Sequence, residues 1–266
     1  MAARKYTAHI TIVASALALI AAVWGAVVLT SPGTATGAQE STSGTPAPKA
    51  PQGPQKPPQK VPEGIAHDSE AGGRTVNITI DDGPDPRWTP KVLEVLRENN
   101  VKAVFCMIGP QAKEHPDLVK KVVADGHRLC DHTMTHDTTM DKKSVDYQKR
   151  QILDAKKMIE DAAGGGAKVE YYRAPGGAFT PDSRRIAAQA GMRPLGWNVD
   201  TKDFEKPGVD AIVNTVRNEL PNGPTILFHD GGGDRAQTVA ALEQILPWLK
   251  AEGRPTGFPV RTQPSS

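Results

Sequence analysis

Between Arg74 and Arg261 short strand-like runs alternate with helical ones, an order that few folds accept. Val76-Asn77-Ile78-Thr79-Ile80 alternates apolar and polar residues and ends at the turn-forming Asp82-Gly83-Pro84. Residues 89–98 carry Val92, Leu93 and Leu96 at helical spacing. Residues 101–108 read as a continuous apolar strand, 116–124 as a helix, 128–130 as a short strand and 144–163 as a long helix stopped by Gly164-Gly165-Gly166. Strand-like pieces recur at 171–172, 195–199, 225–229 and 258–260, and helices near 181–190, 208–220 and 236–252. Repeated β–α alternation predicts a parallel sheet, open or closed into a barrel. Barrels of this kind gather their chemistry at the C-terminal ends of the strands. The unusual residues fall there: Asp81 and Asp82 after the first strand, His132 after the third, Arg173 after the fourth, Asp200 after the fifth and His229 on the sixth.

The first 70 residues cannot share that core. Residues 10–29 are uncharged and apolar over a length that can cross a bilayer, with Arg4 and Lys5 ahead of them. Residues 1–30 therefore read as an N-terminal membrane anchor or a signal peptide, Thr36-Gly37-Ala38 offering a small-residue cleavage site. Both readings put the body of the chain outside the cytoplasm, extracellular or at the cell surface. Residues 31–70 are rich in Pro, Gly, Ser and Gln, too poor in large apolar groups to bury anything, and are expected to form a disordered spacer. That leaves 71–262 as the folded domain, expected to be a monomer. A net charge of +2 from 32 basic and 30 acidic residues gives no electrostatic footprint for nucleic acid. The two cysteines, Cys106 and Cys130, exclude a disulfide-rich scaffold. They lie on predicted neighbouring strands, where side-chain geometry often disfavours a bridge, so buried free thiols are expected.

His132-Thr133-Met134-Thr135-His136 spaces two imidazoles four apart, so that on a helix or tight turn both face one ion. One carboxylate of Asp81-Asp82 would complete a three-ligand site with room for water, leaving the other to accept a proton. Taken separately, the histidines read as a polar surface pair and the acids as a solvated turn; their shared position at strand ends favours a site. Arg173 in Arg173-Ala174-Pro175-Gly176-Gly177 would orient a carboxylate, and backbone N–H groups near Gly176 would face a developing oxyanion. His229 could protonate a leaving group if an acid, Asp203 or Asp200, orients it.

With these residues in place, the stretch from Arg74 to Val260 resembles the polysaccharide deacetylase family, the NodB homology group or carbohydrate esterase family four. Thr79-Ile80-Asp81-Asp82-Gly83-Pro84 looks like its TFDDGP motif, which implies Asp81 as base and Asp82 as metal ligand. His132 to His136 resembles its H[ST]xxH, implying that both histidines are ligands. Arg173 to Gly177 is similar to its RxPxG-type motif, in which the arginine positions the base and Pro175 and Gly176 border the substrate. Asp200-Thr201-Lys202-Asp203-Phe204, just after Trp197, looks like its DxxDW, which makes Asp203 the partner of the catalytic histidine. Leu227-Phe228-His229 resembles the last motif, implying His229 as general acid and Leu227, with Trp197, as part of the acetyl pocket.

The resemblance implies a distorted (β/α) barrel of about seven strands. It also implies a divalent ion, zinc first with cobalt, nickel or manganese as alternatives, and an N-acetylated glycan such as peptidoglycan or a chitin-like chain. An O-acetyl esterase on acetylated xylan and a non-catalytic wall-binding module are the competing readings. Ile80, Gly176 and Phe204 depart from the family's Phe, its aromatic and its Trp, changes that bear on the substrate groove more than on the chemistry.

Overall fold

In the computed structural model the described residues are 61–262. Their strands are β1 Val76–Asp81, β2 Val104–Met107, β3 Arg128–Asp131, β4 Val169–Tyr172, β5 Arg193–Pro194, β6 Val199–Asp200, β7 Thr225–His229 and β8 Thr256–Gly257. The helices are α1 Thr89–Glu98, α2 Gly109–Glu114, α3 Pro116–Ala124, α4 Val145–Ala163, α5 Pro181–Gln189, α6 Val209–Glu219 and α7 Ala236–Ala251. Every ladder between these strands is parallel, in the order β5-β4-β3-β2-β1-β7-β6, with β8 paired to β1 off that path. The sheet curls into the expected distorted (β/α) barrel.

The alternation in β1 has a cause that polarity alone does not reveal. All six of its residues are buried. Val76, Ile78 and Ile80 pack outward into the core beneath the helices. Asn77, Thr79 and Asp81 point into the barrel, where Asn77 Nδ2 donates to Thr225 Oγ1 at 2.9 Å and Thr79 Oγ1 donates to the Ile226 carbonyl at 2.7 Å. The polar residues are thus an internal network, and the strand has no solvent face.

Four expectations need correction. Residues 195–199 are not one strand: β5 ends at Pro194 and β6 starts at Val199. Leu195 N still donates to the Tyr172 carbonyl, while Asn198 N donates to the Thr225 carbonyl, so the chain crosses here from one edge of the sheet to the other. Gly196 makes the crossing sterically feasible, because a Cβ there would lie 2.3 Å from His67 Nε2. At the C-terminal end, pairing falls at β8 instead of 258–260, and Pro259 forms only an isolated antiparallel bridge with Ser69. The spacer also ends earlier than residue 70. Val61, Ala66 and Ser69 are buried, Ala66 bridges to Leu195, and Ala66 N donates to the Pro194 carbonyl at 2.8 Å. A small residue able to plug the seam between the sheet edges is enough to dock this polar segment.

The fourth correction concerns the cysteines. Cys106 and Cys130 form a disulfide. They are direct register partners on β2 and β3, and both belong to the inner cluster with Ala66, Val104, Tyr171 and Leu195. Facing the same way from opposite positions overcomes the usual handicap of adjacent strands. Thiol titration in denaturant without reductant is expected to find no free thiol. Replacing both cysteines by serine should lower unfolding stability by about 3 kcal/mol, from the loop-closure entropy of a cross-link of this span. A stability change near zero in denaturant titration would count against a formed bridge.

Among the described residues no helix is long and apolar enough to cross a membrane. The apolar stretch 10–29 and the spacer up to residue 60 lie outside the described residues.

Candidate active site

The register of β1 assembles the centre of the site. Asp81 is paired with His229 on β7 and with Cys106 on β2, so one strand end places an acid beside an imidazole. His132 N donates to the Met107 carbonyl, and Arg173 N to the Asp131 carbonyl, which brings the ends of β3 and β4 to the same rim. A cleft of about 580 Å³ opens there, lined among others by Asp81, Asp82, His132, His136, Arg173 and His229.

Arg173 is fully enclosed, and each of its three guanidinium nitrogens donates a hydrogen bond. Its Nη1 donates to Asp81 Oδ1 at 2.7 Å and to Thr79 Oγ1 at 3.0 Å, its Nε to the Leu195 carbonyl and its Nη2 to the Gly196 carbonyl. These bonds fix the plane of the Asp81 carboxylate. Burial raises the Asp81 pKa above its ordinary value, and the positive Arg173 opposes but does not cancel that effect.

Asp82 turns through left-handed backbone at φ 77°, which sends its side chain towards the histidines and away from the direction of Asp81. His132 and His136 stand on a loop and not on a helix, with Thr133 and His136 themselves at φ 69° and 51°. The loop is tied down from below. Asp131 Oδ1 accepts from Thr133 N at 2.7 Å, and Gln151 Oε1 accepts from the N–H groups of Met134 and Thr135. Residues held in such sparsely populated conformations are characteristic of functional sites.

Asp82 Oδ1 lies 3.5 Å from His132 Nε2 and 3.3 Å from His136 Nε2, and the ligand atoms of all three residues lie within 4.8 Å of one another. Two ligands each about 2.05 Å from a tetrahedral zinc are separated by about 3.3 Å, so the spacing suits that ion. Asp82 Oδ1 is buried and has no hydrogen-bond partner among the described residues, a state that a bound cation would relieve. His132 Nδ1 lies 2.8 Å from the Arg173 carbonyl and, as an N–H, donates to it, leaving the Nε2 lone pair for a metal. Burial lowers His132 to about 3, which keeps the ring in the neutral form that coordination requires. The residues present therefore fit a divalent metal.

On the other side of Asp81, His229 Nδ1 donates to Asp203 Oδ1 at 2.7 Å, leaving Nε2 free to carry a proton. Asp203 is held in turn by Thr238 Oγ1, which donates to Oδ2 at 2.7 Å, and by His229 N at 2.9 Å. Burial disfavours charge on both groups, but the pairing prevails: His229 is raised and Asp203 lowered from their ordinary values. Asp200, the other candidate partner, instead pairs with Lys202 Nζ at 2.8 Å.

Leu227, Trp197 and Gly176 line the cleft, whereas Pro175 is buried behind it. The Gly176 N–H has no acceptor among the described residues. Trp197 crowds the backbone of the neighbouring turn, reaching 3.2 Å from where a Cβ on Gly177 would stand, and so supplies an aromatic wall. Phe204 is 41 % exposed with its ring 5.2 Å from that of His229. Sequence reasoning missed Thr138 and Arg235 in the lining and Asp230 beneath it. Asp230 accepts from Thr89 Oγ1, and burial raises its carboxyl to about 7. Its only sequence signal is that it follows His229.

The sequence profile described as polysaccharide deacetylase matches residues 68–195. A chitooligosaccharide deacetylase of Sinorhizobium fredii is 39 % identical over 210 residues, spanning 74 % of this chain and 94 % of its own. The chain belongs to the polysaccharide deacetylase family. A peptidoglycan-N-acetylglucosamine deacetylase of Bacillus cereus is 41 % identical over 182 residues, covering 68 % of this polysaccharide deacetylase and 84 % of its own length. The crystal structure of the Bc1960 peptidoglycan N-acetylglucosamine deacetylase superposes with a TM-score of 0.68 at 31 % identity, covering 73 % of this chain and 90 % of that one. These relatives make the chain a polysaccharide deacetylase by fold and family.

Proposed function

We propose that this deacetylase removes N-acetyl groups from N-acetylglucosamine units of a glycan, using a divalent ion held by Asp82, His132 and His136. The observation that carries the reading is the placement of a three-ligand set on one side of Asp81 and a carboxylate-backed histidine on the other. The names of its relatives agree with that substrate class. Zinc is the first choice for a ligand set of two histidines and one carboxylate. When bound, the ion would polarise the acetyl carbonyl and acidify a water molecule. Asp81, oriented by Arg173, takes the proton of the attacking water. The Gly176 N–H faces the oxygen that gains charge. His229 then protonates the departing amine, which an amide needs because an unprotonated amine leaves poorly. Leu227 and Trp197 enclose the acetyl methyl. An exported location is supported by the Cys106–Cys130 bridge and by the apolar stretch near the N-terminus.

The direct test is acetate release from N-acetylglucosamine oligomers with zinc present. No release by the wild type under those conditions would overturn the reading. The pH profile is a second check. The acid limb should report the ionisation of Asp81, which must be charged to take the proton. The alkaline limb should lie above about 6.5, because His229 must be protonated and is raised. In Asp203→Asn that support is gone, so the alkaline limb of kcat/KM should move to lower pH. A limb that stays in place would mean that it belongs to another group.

A further inference from the structure

Arg235 is the second buried arginine of the cleft, and its surroundings contrast with those of Arg173. It is 3 % exposed, yet among the described residues it forms no ion pair. Its Nε donates to the Gly231 carbonyl at 2.7 Å and its Nη1 reaches the Asp234 carbonyl at 3.5 Å, while Nη2 has no partner. The carboxylates around it are already committed. Asp81 is held by Arg173, Asp82 faces the two histidines, Asp200 pairs with Lys202 and Asp203 with His229. Asp234 caps the Ala236 N–H. Arg235 lines the cleft with Nη2 unpartnered and no ion pair among the described residues, a charged donor open to an anion arriving from outside.

The space in front of Arg235 is kept open. A Cβ on Gly232 would lie 3.2 Å from both Arg235 Nη2 and Asp82 Oδ2, at a backbone φ of +73°. The bare glycine leaves a notch about one small group wide, bordered by a guanidinium on one side and by the edge of the ligand set on the other. A hydroxyl there would satisfy a donor but not a charge; a carboxylate satisfies both.

We propose that Arg235 binds a carboxylate carried by the glycan close to the scissile acetamide. The preferred substrate is then an acidic glycan, in which N-acetylglucosamine neighbours a sugar with a free carboxylate, over a neutral chitin-like chain. This rests on the deacetylase reading above and specifies its substrate.

The test measures kcat/KM for acetate release by the full, zinc-supplemented chain on three substrates. These are a neutral chitooligosaccharide, a strand alternating N-acetylglucosamine with muramic acid, and the same strand with its carboxylates converted to methyl esters. The wild type should prefer the free-carboxylate strand over its ester about tenfold, the effect of one charge-assisted hydrogen bond. Arg235→Gln should erase that preference, and Arg235→Lys should restore part of it. Equal wild-type rates on acid and ester, or an Arg235→Gln loss of the same factor on all three substrates, would overturn the assignment. Release from the chitooligosaccharide reports on the deacetylase reading alone. A wild type active on it but indifferent to the carboxylate therefore overturns only the role of Arg235, and one inactive on all three overturns both.

Discussion

Asp81→Asn is expected to lower kcat/KM for acetate release about a thousandfold while the protein still binds its metal. A positioned general base contributes on the order of a hundred- to ten-thousandfold, and an amide cannot take the proton. The substitution keeps shape and leaves an oxygen for Arg173 Nη1, now 2.7 Å from the carboxylate. It also leaves a wholly buried guanidinium without its counter-charge, so thermal stability should fall as well. Metal content by elemental analysis, acetate release and melting temperature, measured on one preparation, separate these effects. Activity within tenfold of wild type would remove Asp81 from the role of base, and loss of the metal would recast it as a ligand.

Asp82→Ala should behave differently, although the residue is adjacent. It removes one of only three ligand groups, and the two imidazoles left behind hold a divalent ion far more weakly. Wild-type activity is expected to fall at least a thousandfold on chelation and to return on adding zinc. The Asp82→Ala protein should stay inactive at the zinc concentration that restores the wild type. Full recovery of the variant at that concentration would show that the ion, if needed, is held elsewhere. The contrast between the two substitutions is the sharpest available test of how the carboxylate pair divides its work.

Much of this arrangement could be read from the chain before its structure. Strand ends rich in Asp, His and Arg locate a barrel rim, because β–α alternation leaves only one face for them. Residue spacing alone leaves the partner of His229 open between Asp200 and Asp203, the family motif singles out Asp203, and the turn beyond β6 brings that residue to β7. The crossing at 195–198 was not legible, since an apolar run bonded first to one strand and then to another has the same composition as a single strand. The docked segment at 61–70 was hidden by its polarity, because its anchoring depends on backbone hydrogen bonds and on Ala66 more than on large side chains. The Cys106–Cys130 bridge required the register of β2 against β3, which no periodicity supplies. Arg235 follows a run of three glycines that reads as a loop; its burial comes from the packing of that loop across Asp82.

The seam at 195–198 has a mechanical consequence. Two of its carbonyls, those of Leu195 and Gly196, hold the guanidinium that in turn holds Asp81. Ala66 is bonded into the same run, and His67 packs against Gly196. The run therefore acts as a keystone: its carbonyls supply the Nε and Nη2 contacts that brace Arg173, while Nη1 is left to Thr79 and Asp81. The alignment of the base is thus set by the last piece of the arch, and the working centre can be no better ordered than the joint that locks it.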